Sequence, residues 1–167
     1  MNAMDNILKM LGPGIGDYKF VDTKIADEMI CKLPASVWNS KTKFLDPACK
    51  SGIFLYKIYK KLMEALEKEE EFKDKEKRRE HILKNQLYGV CPNGQCEQFS
   101  IRTAVGHLTD KYNIKMLDDY ENKIMDKEAI KELFGGNINF DVVIGYPQFD
   151  FENVASELAD IICLNVD

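Results

Sequence analysis

Four turns hold the residues whose types and spacing could do chemistry: Asp46–Gly52 (DPACKSG), Val90–Asn93 (VCPN), Leu117–Asp119 (LDD) and Gly145–Phe149 (GYPQF). The first joins a short apolar run to a helical pattern through Ser51 and Gly52. A glycine there lets a ligand approach backbone amides at a helix N-terminus, the geometry of a nucleotide-cradling turn. A plain connecting turn is the other reading of Ser-Gly. Lys50 puts a cation where a cradling turn wants glycine. An acid ending the second strand of such a fold normally holds a ribose. Here the position is Cys91, which cannot accept two hydroxyl hydrogen bonds. Asp118 or Asp119 can accept from an exocyclic amine, or can simply be solvated turn acids.

These turns must be positioned by regular elements. The first residues read as a short helix ending at Gly12-Pro13-Gly14. A helix from Asp22 to about Leu33 is capped by Asp22 or Thr23, shows Ile25, Met29, Ile30 and Leu33 on one face, and stops before Pro34. Thr42 to Leu45 is a β-prone run, and Ile53 to Leu66 carries apolar residues at helical spacing. Glu64 to Arg79 mixes both charges and reads as a solvated helix with i,i+4 ion pairs rather than a nucleic-acid contact. Leu87 to Val90 is a buried-strand candidate, followed by a helix capped by Asn93 and carrying Phe99, Ile101, Ala104, Val105 and Leu108. Ile114 to Leu117 is a weaker strand, and a charged helix spans about Tyr120 to Phe134 before Gly135-Gly136. Phe140 to Ile144 (FDVVI) is the strongest strand, and Val154 to Leu164 is a last amphipathic segment. Strands alternating with helices predict βαβ units in a parallel sheet, with ligands at the carboxyl ends of the strands. All four turns fall at those ends, so connectivity alone gathers them into one cleft.

The 167 residues fit one α/β domain with a real core. A net charge of −5 shows no average basic surface for nucleic acid. No apolar run is long enough to span a bilayer, and the N-terminus lacks the apolar core of a signal peptide. Five scattered cysteines, an odd number, suit a reducing cytoplasm. Cys91 and Cys96, without a second pair or nearby histidine, read as ordinary half-buried thiols, and no metal is expected. His81 and His107 stand apart from the turns and read as surface or helix residues.

Together the segments resemble one family. FLDPACKSGIFL resembles the FLDPACGSGxFL signature of adenine-N6 DNA methyltransferases from restriction–modification systems. QLYGVCPN is similar to LYGVDIN, FDVVIGYPQFD to FDVVIGNPPYQ, and TKIADEMI to the TPxxVAxxM motif. The likeness spans roughly Thr23 to Phe149. It implies a Rossmann-like S-adenosylmethionine-dependent methyltransferase fold with a mainly parallel sheet and its C-terminal strands missing. It further implies that residues 1–40 are an N-terminal helical segment packing on the core, and 41–167 a partial methyltransferase-like domain. S-adenosylmethionine is the implied cofactor, at Thr23, Asp46, Pro47, Ala48, Lys50, Gly52, Cys91 and Asp118. DNA is the implied partner, with the target adenine flipped out. In the family's NPPY motif the Asn side chain and the first Pro carbonyl accept from the adenine amine, and the aromatic residue stacks on the base. Those positions are Tyr146, Pro147 and Phe149 here.

The scaffold matches while ligand-facing positions depart. Lys50 replaces the first glycine, Cys91 the ribose acid, Tyr146 the catalytic Asn, Gln148 the second proline and Lys24 the proline of TPxxVA. If the turn needs a positive φ at Lys50, its β-carbon adds strain of ~1–2 kcal/mol. The side chain can enter the cofactor volume, where its charge repels a sulfonium. Loss of the ribose acid forfeits charge-assisted bonds of ~1.5–3 kcal/mol. Tyr146 holds its oxygen too far out to take the amine's hydrogen bonds. A weak or inactive chain is expected, or a non-catalytic interaction protein retaining the fold. Family members continue with further strands and a target-recognition region. The fourth strand is therefore expected as an exposed edge, covered by a second copy or a partner subunit.

Overall fold

A computed structural model describes residues 14–106, 113–124 and 126–147. The predicted first helix, the last amphipathic segment, His107, Leu108, Gln148 and Phe149 lie outside the described residues.

The central sheet has four strands: β3 (Phe44–Asp46), β4 (Leu87–Cys91), β5 (Asn113–Met116) and β6 (Val142–Val143). Their spatial order is β5-β4-β3-β6, and every pairing is parallel. Counted from β3, this is third, second, first, fourth, the arrangement of one half of a doubly wound sheet. The order in which strands are added reverses between β3 and β6, so a crevice opens beyond the carboxyl ends of those two strands.

Side chains alternate across the strands and build two cores. Phe44, Leu87, Ile114, Val142 and Ile144 join the apolar faces of α1 (Thr23–Cys31), α2 (Ile53–Leu66), α3 (Lys75–Asn85) and α4 (Gly94–Val105). Leu45, Tyr88, Val90 and Val143 join the residues of α5 (Tyr120–Lys123) and α6 (Lys127–Leu133), with Phe134 and Phe140. Both faces are covered, which explains why β3 and β4 read as continuous apolar runs.

Caps fix the helix starts. The Asp22 carboxylate accepts from the Lys24 amide at 2.7 Å, and Asn93 from the Cys96 amide at 2.8 Å. In α1 the buried residues are Ala26 and Ile30, whereas Ile25, expected on the inner face, is exposed.

Three expectations change. The charged stretch is not one solvated helix: α2 ends at Leu66, and α3 begins only after the Asp74 cap. Phe72 turns inward, and Arg78 follows at 4% exposure, donating to the Phe72 carbonyl at 2.8 Å and pairing with Glu67 at 3.4 Å. The predicted 120–134 helix divides because the Asp126 side chain caps a second start through the Glu128 and Ala129 amides. The FDVVI strand shortens to Val142–Val143, as Phe140 leaves the ladder to pack edge-on against Tyr88 and Phe134. Among the described residues β6 has β3 on one side and no strand on the other.

A short hairpin, β1 (Gly14–Ile15) with β2 (Tyr18–Lys19), precedes α1 and was not read from the sequence. Gly16, with φ of 58°, opens its two-residue loop where a II′ turn requires glycine.

Candidate functional site

The crevice at the end of β3 is built around Asp46. Its carboxyl is only 2% exposed, and Oδ1 accepts from the Ala48 amide at 3.0 Å. Burial pushes its pKa up to about 7, against the Ala48 amide and the nearby Lys50 charge. Gly145, at the end of β6, must be glycine: a β-carbon there would lie 2.5 Å from Asp46 Oδ1.

From Asp46 the chain folds flat against α4. The Cys49 amide donates to the Val90 carbonyl at 2.8 Å, extending the ladder one step into the turn. Ser100 Oγ donates to the Lys50 carbonyl at 3.1 Å and reaches that of Cys49 at 3.4 Å. Gly52 carries the positive φ, 73°, and a β-carbon on it would meet the Ser100 carbonyl at 2.8 Å. Lys50 does not have a positive φ, so the expected backbone strain at that residue is absent. Its departure from glycine acts through the side chain alone.

That side chain runs into the crevice. Lys50 is 6% exposed, and Nζ donates to the Tyr146 carbonyl at 3.3 Å, tying the DPACKSG turn to the GYP turn. Burial lowers its pKa to about 8, against the attraction of Asp46. It therefore remains mostly a cation at neutral pH. Tyr146 itself stays 39% exposed.

Of the residues expected at the site, Asp46, Ala48, Lys50, Gly52 and Tyr146 line one cleft, together with Ser51. Thr23, Pro47, Cys91, Asp118 and Pro147 are not in its lining, and Phe149 lies outside the described residues. Cys91 departs furthest from its expected role. It is 0% exposed and bonds to Ser100 Oγ at 3.8 Å, within the core beneath the turn. The Cys49 thiol, also buried, is held well above its ordinary pKa by its bond to Cys91 and then by burial. Cys96 is pushed up to about 11 by burial. Among the described residues no group of His, Cys, Asp and Glu is placed to hold a metal. Asp118 is exposed, and Pro47 serves through its carbonyl, which accepts from the Tyr120 hydroxyl at 2.9 Å.

Sequence reasoning missed Lys19, Val21, Ile53 and Phe54, which also line the cleft. The alternation of Tyr18 and Phe20 with Lys19 and Val21 was the available signal for the first two.

The space left in the cleft is about 10 Å³, room for one water. Sites for nucleoside-sized ligands run to ~300–1,000 Å³. As they stand, these residues do not fit S-adenosylmethionine, because the space is too small and Lys50, in its lining, presents a cation to a sulfonium.

Fold and site together define an α/β protein with a parallel sheet and a narrow cleft at its switch point. No protein-family model, curated protein or solved structure matches the chain. No helix among the described residues is long and apolar enough to cross a membrane.

Proposed function

We propose that the chain is a methyltransferase-like domain of the adenine-N6 DNA methyltransferase type, from a restriction–modification system, and that its cofactor cleft is shut. One observation carries the reading: the DPACKSG and GYP turns, found first as motif resemblances, flank the same switch point and are bridged by Lys50 Nζ on the Tyr146 carbonyl. The sheet order and the burial of Asp46 support the ancestry. The 10 Å³ cleft supports a weak or inactive chain. The same closure favours a second reading, a non-catalytic subunit that keeps the fold to dock on a partner. DNA, and a second copy or another subunit along the β6 edge, are the partners these readings imply.

Calorimetric titration with S-adenosylmethionine tests the proposal. The wild type should show millimolar affinity or none, and Lys50→Gly combined with Tyr146→Asn should bring it into the micromolar range. Micromolar binding by the wild type would remove the closed-cleft reading. A folded double variant still blind to the cofactor would remove the methyltransferase reading. For the docking alternative, light scattering should report a dimer, or a complex with a partner subunit. A monomer that captures neither counts against it.

A further inference from the structure

We propose that residues 18–21 form a strap that closes the cleft from outside and must lift before any ligand larger than water reaches Lys50. Lys19 and Val21 line the cleft, while the residues alternating with them are docked on the protein. Tyr18 sets its ring edge-on to Tyr120, with centroids 6.5 Å apart, and its hydroxyl donates to Glu121 Oε1 at 3.5 Å. Phe20 stacks on Phe99 at 5.3 Å. The anchors lie on α5 and α4, so the segment stretches between two elements that flank the strand ends. Downstream it is fixed, since Asp22 caps α1 and Ala26 and Ile30 are locked in the core. Its first two residues are β2, and upstream among the described residues stands the rest of the small β1–β2 hairpin.

The cleft is thus shut twice, by the Lys50 side chain within and by the strap without. The two closures differ in kind. The Lys50 contact is half-buried and spans the sheet's switch point. The strap's contacts include a long, exposed hydrogen bond, two ring contacts, a two-pair ladder and the packing of half-buried Tyr18 and Val21 against the core, the sort of peripheral attachment that opens locally without global unfolding. The inference concerns access to the cleft, and it stands whether or not the ligand is S-adenosylmethionine.

The test is acetylation of the protein by an N-hydroxysuccinimide ester at one pH, read by peptide mass spectrometry. In the wild type, Lys50 should react at least about tenfold slower than the exposed Lys68. Tyr18→Ser with Phe20→Ser should raise the Lys50 rate about tenfold and leave Lys68 unchanged. A folded variant, judged by circular dichroism, in which Lys50 stays at the wild-type rate would overturn the strap. So would a wild type in which Lys50 reacts as fast as Lys68. Should the double variant fail to fold, hydrogen exchange of the wild type decides. Amides 18–21 and 50–53 should then exchange together, ahead of Val90 in the sheet. Exchange of 50–53 only in step with Val90 would reject the proposal.

Discussion

Replacing Asp46 by asparagine isolates the cost of burying a carboxyl at the end of β3. In the folded chain Asp46 keeps its proton up to about pH 7, whereas unfolded it ionises near 3.8. Between those values the native state binds more protons than the unfolded one, so this group makes stability fall as pH rises. A carboxyl displaced that far disfavours its own ionisation by ~4 kcal/mol at most. Asparagine has the same shape, keeps an oxygen for the Ala48 amide and is neutral throughout. It also withdraws the negative charge that favours the buried Lys50 ammonium, which offsets part of the gain. Asp46→Asn should therefore equal the wild type near pH 4 and exceed it by about 2–4 kcal/mol at pH 7.5. Urea unfolding across that range measures it. Trp38 fluorescence is a suitable probe, because the indole stacks on Phe44 of β3 at 5.5 Å. A gap between variant and wild type that stays constant with pH would refute the account of a buried, proton-holding Asp46.

Lys50 is the mirror case. Its pKa falls from 10.5 to about 8 on folding, so its contribution to stability rises with pH across that window, and the wild-type minus Lys50→Met difference in unfolding free energy should show the slope. Buried Cys49, Cys96 and Tyr120, all pushed upward, act in the opposite sense above pH 9, so the wild-type curve alone will not display it. Gly52→Ala should cost ~2–4 kcal/mol, combining a left-handed backbone with overpacking against Ser100, and lower the melting temperature accordingly. Cys91→Asp, which the family pattern suggests as a repair, should destabilise by ~1–3 kcal/mol or more in urea unfolding, because the new carboxyl is buried beside a Ser100 hydroxyl that already donates to the Lys50 carbonyl. Tyr120→Phe should lose ~1 kcal/mol with the bond to the Pro47 carbonyl, read by the same measurement.

What the sequence determined by itself is whatever depends on local pattern. The strand–turn–helix around Asp46 to Gly52, the Asn93 cap, the parallel alternation and the meeting of the DPACKSG and GYP turns were legible, whereas the Val90–Asn93 and Leu117–Asp119 turns do not reach the same cleft. Residue spacing and cap chemistry act over a few positions, and a parallel sheet fixes where its strands end. Lys50 was legible as a suspect because the scaffold around it is intact. Only tertiary structure decided what it does. Its backbone is unstrained, since Gly52 takes the left-handed turn, and its amine finds a carbonyl 96 residues away, just past the carboxyl end of β6. Tertiary packing likewise withdrew Cys91 into the core and drew Arg78 out of a charged stretch. It also brought Lys19 and Val21 into the cleft lining, with Tyr18 and Phe20 in ring contacts with Tyr120 and Phe99. Those outcomes depend on which surfaces meet, and pairings between residues far apart in the chain leave no periodic trace in it.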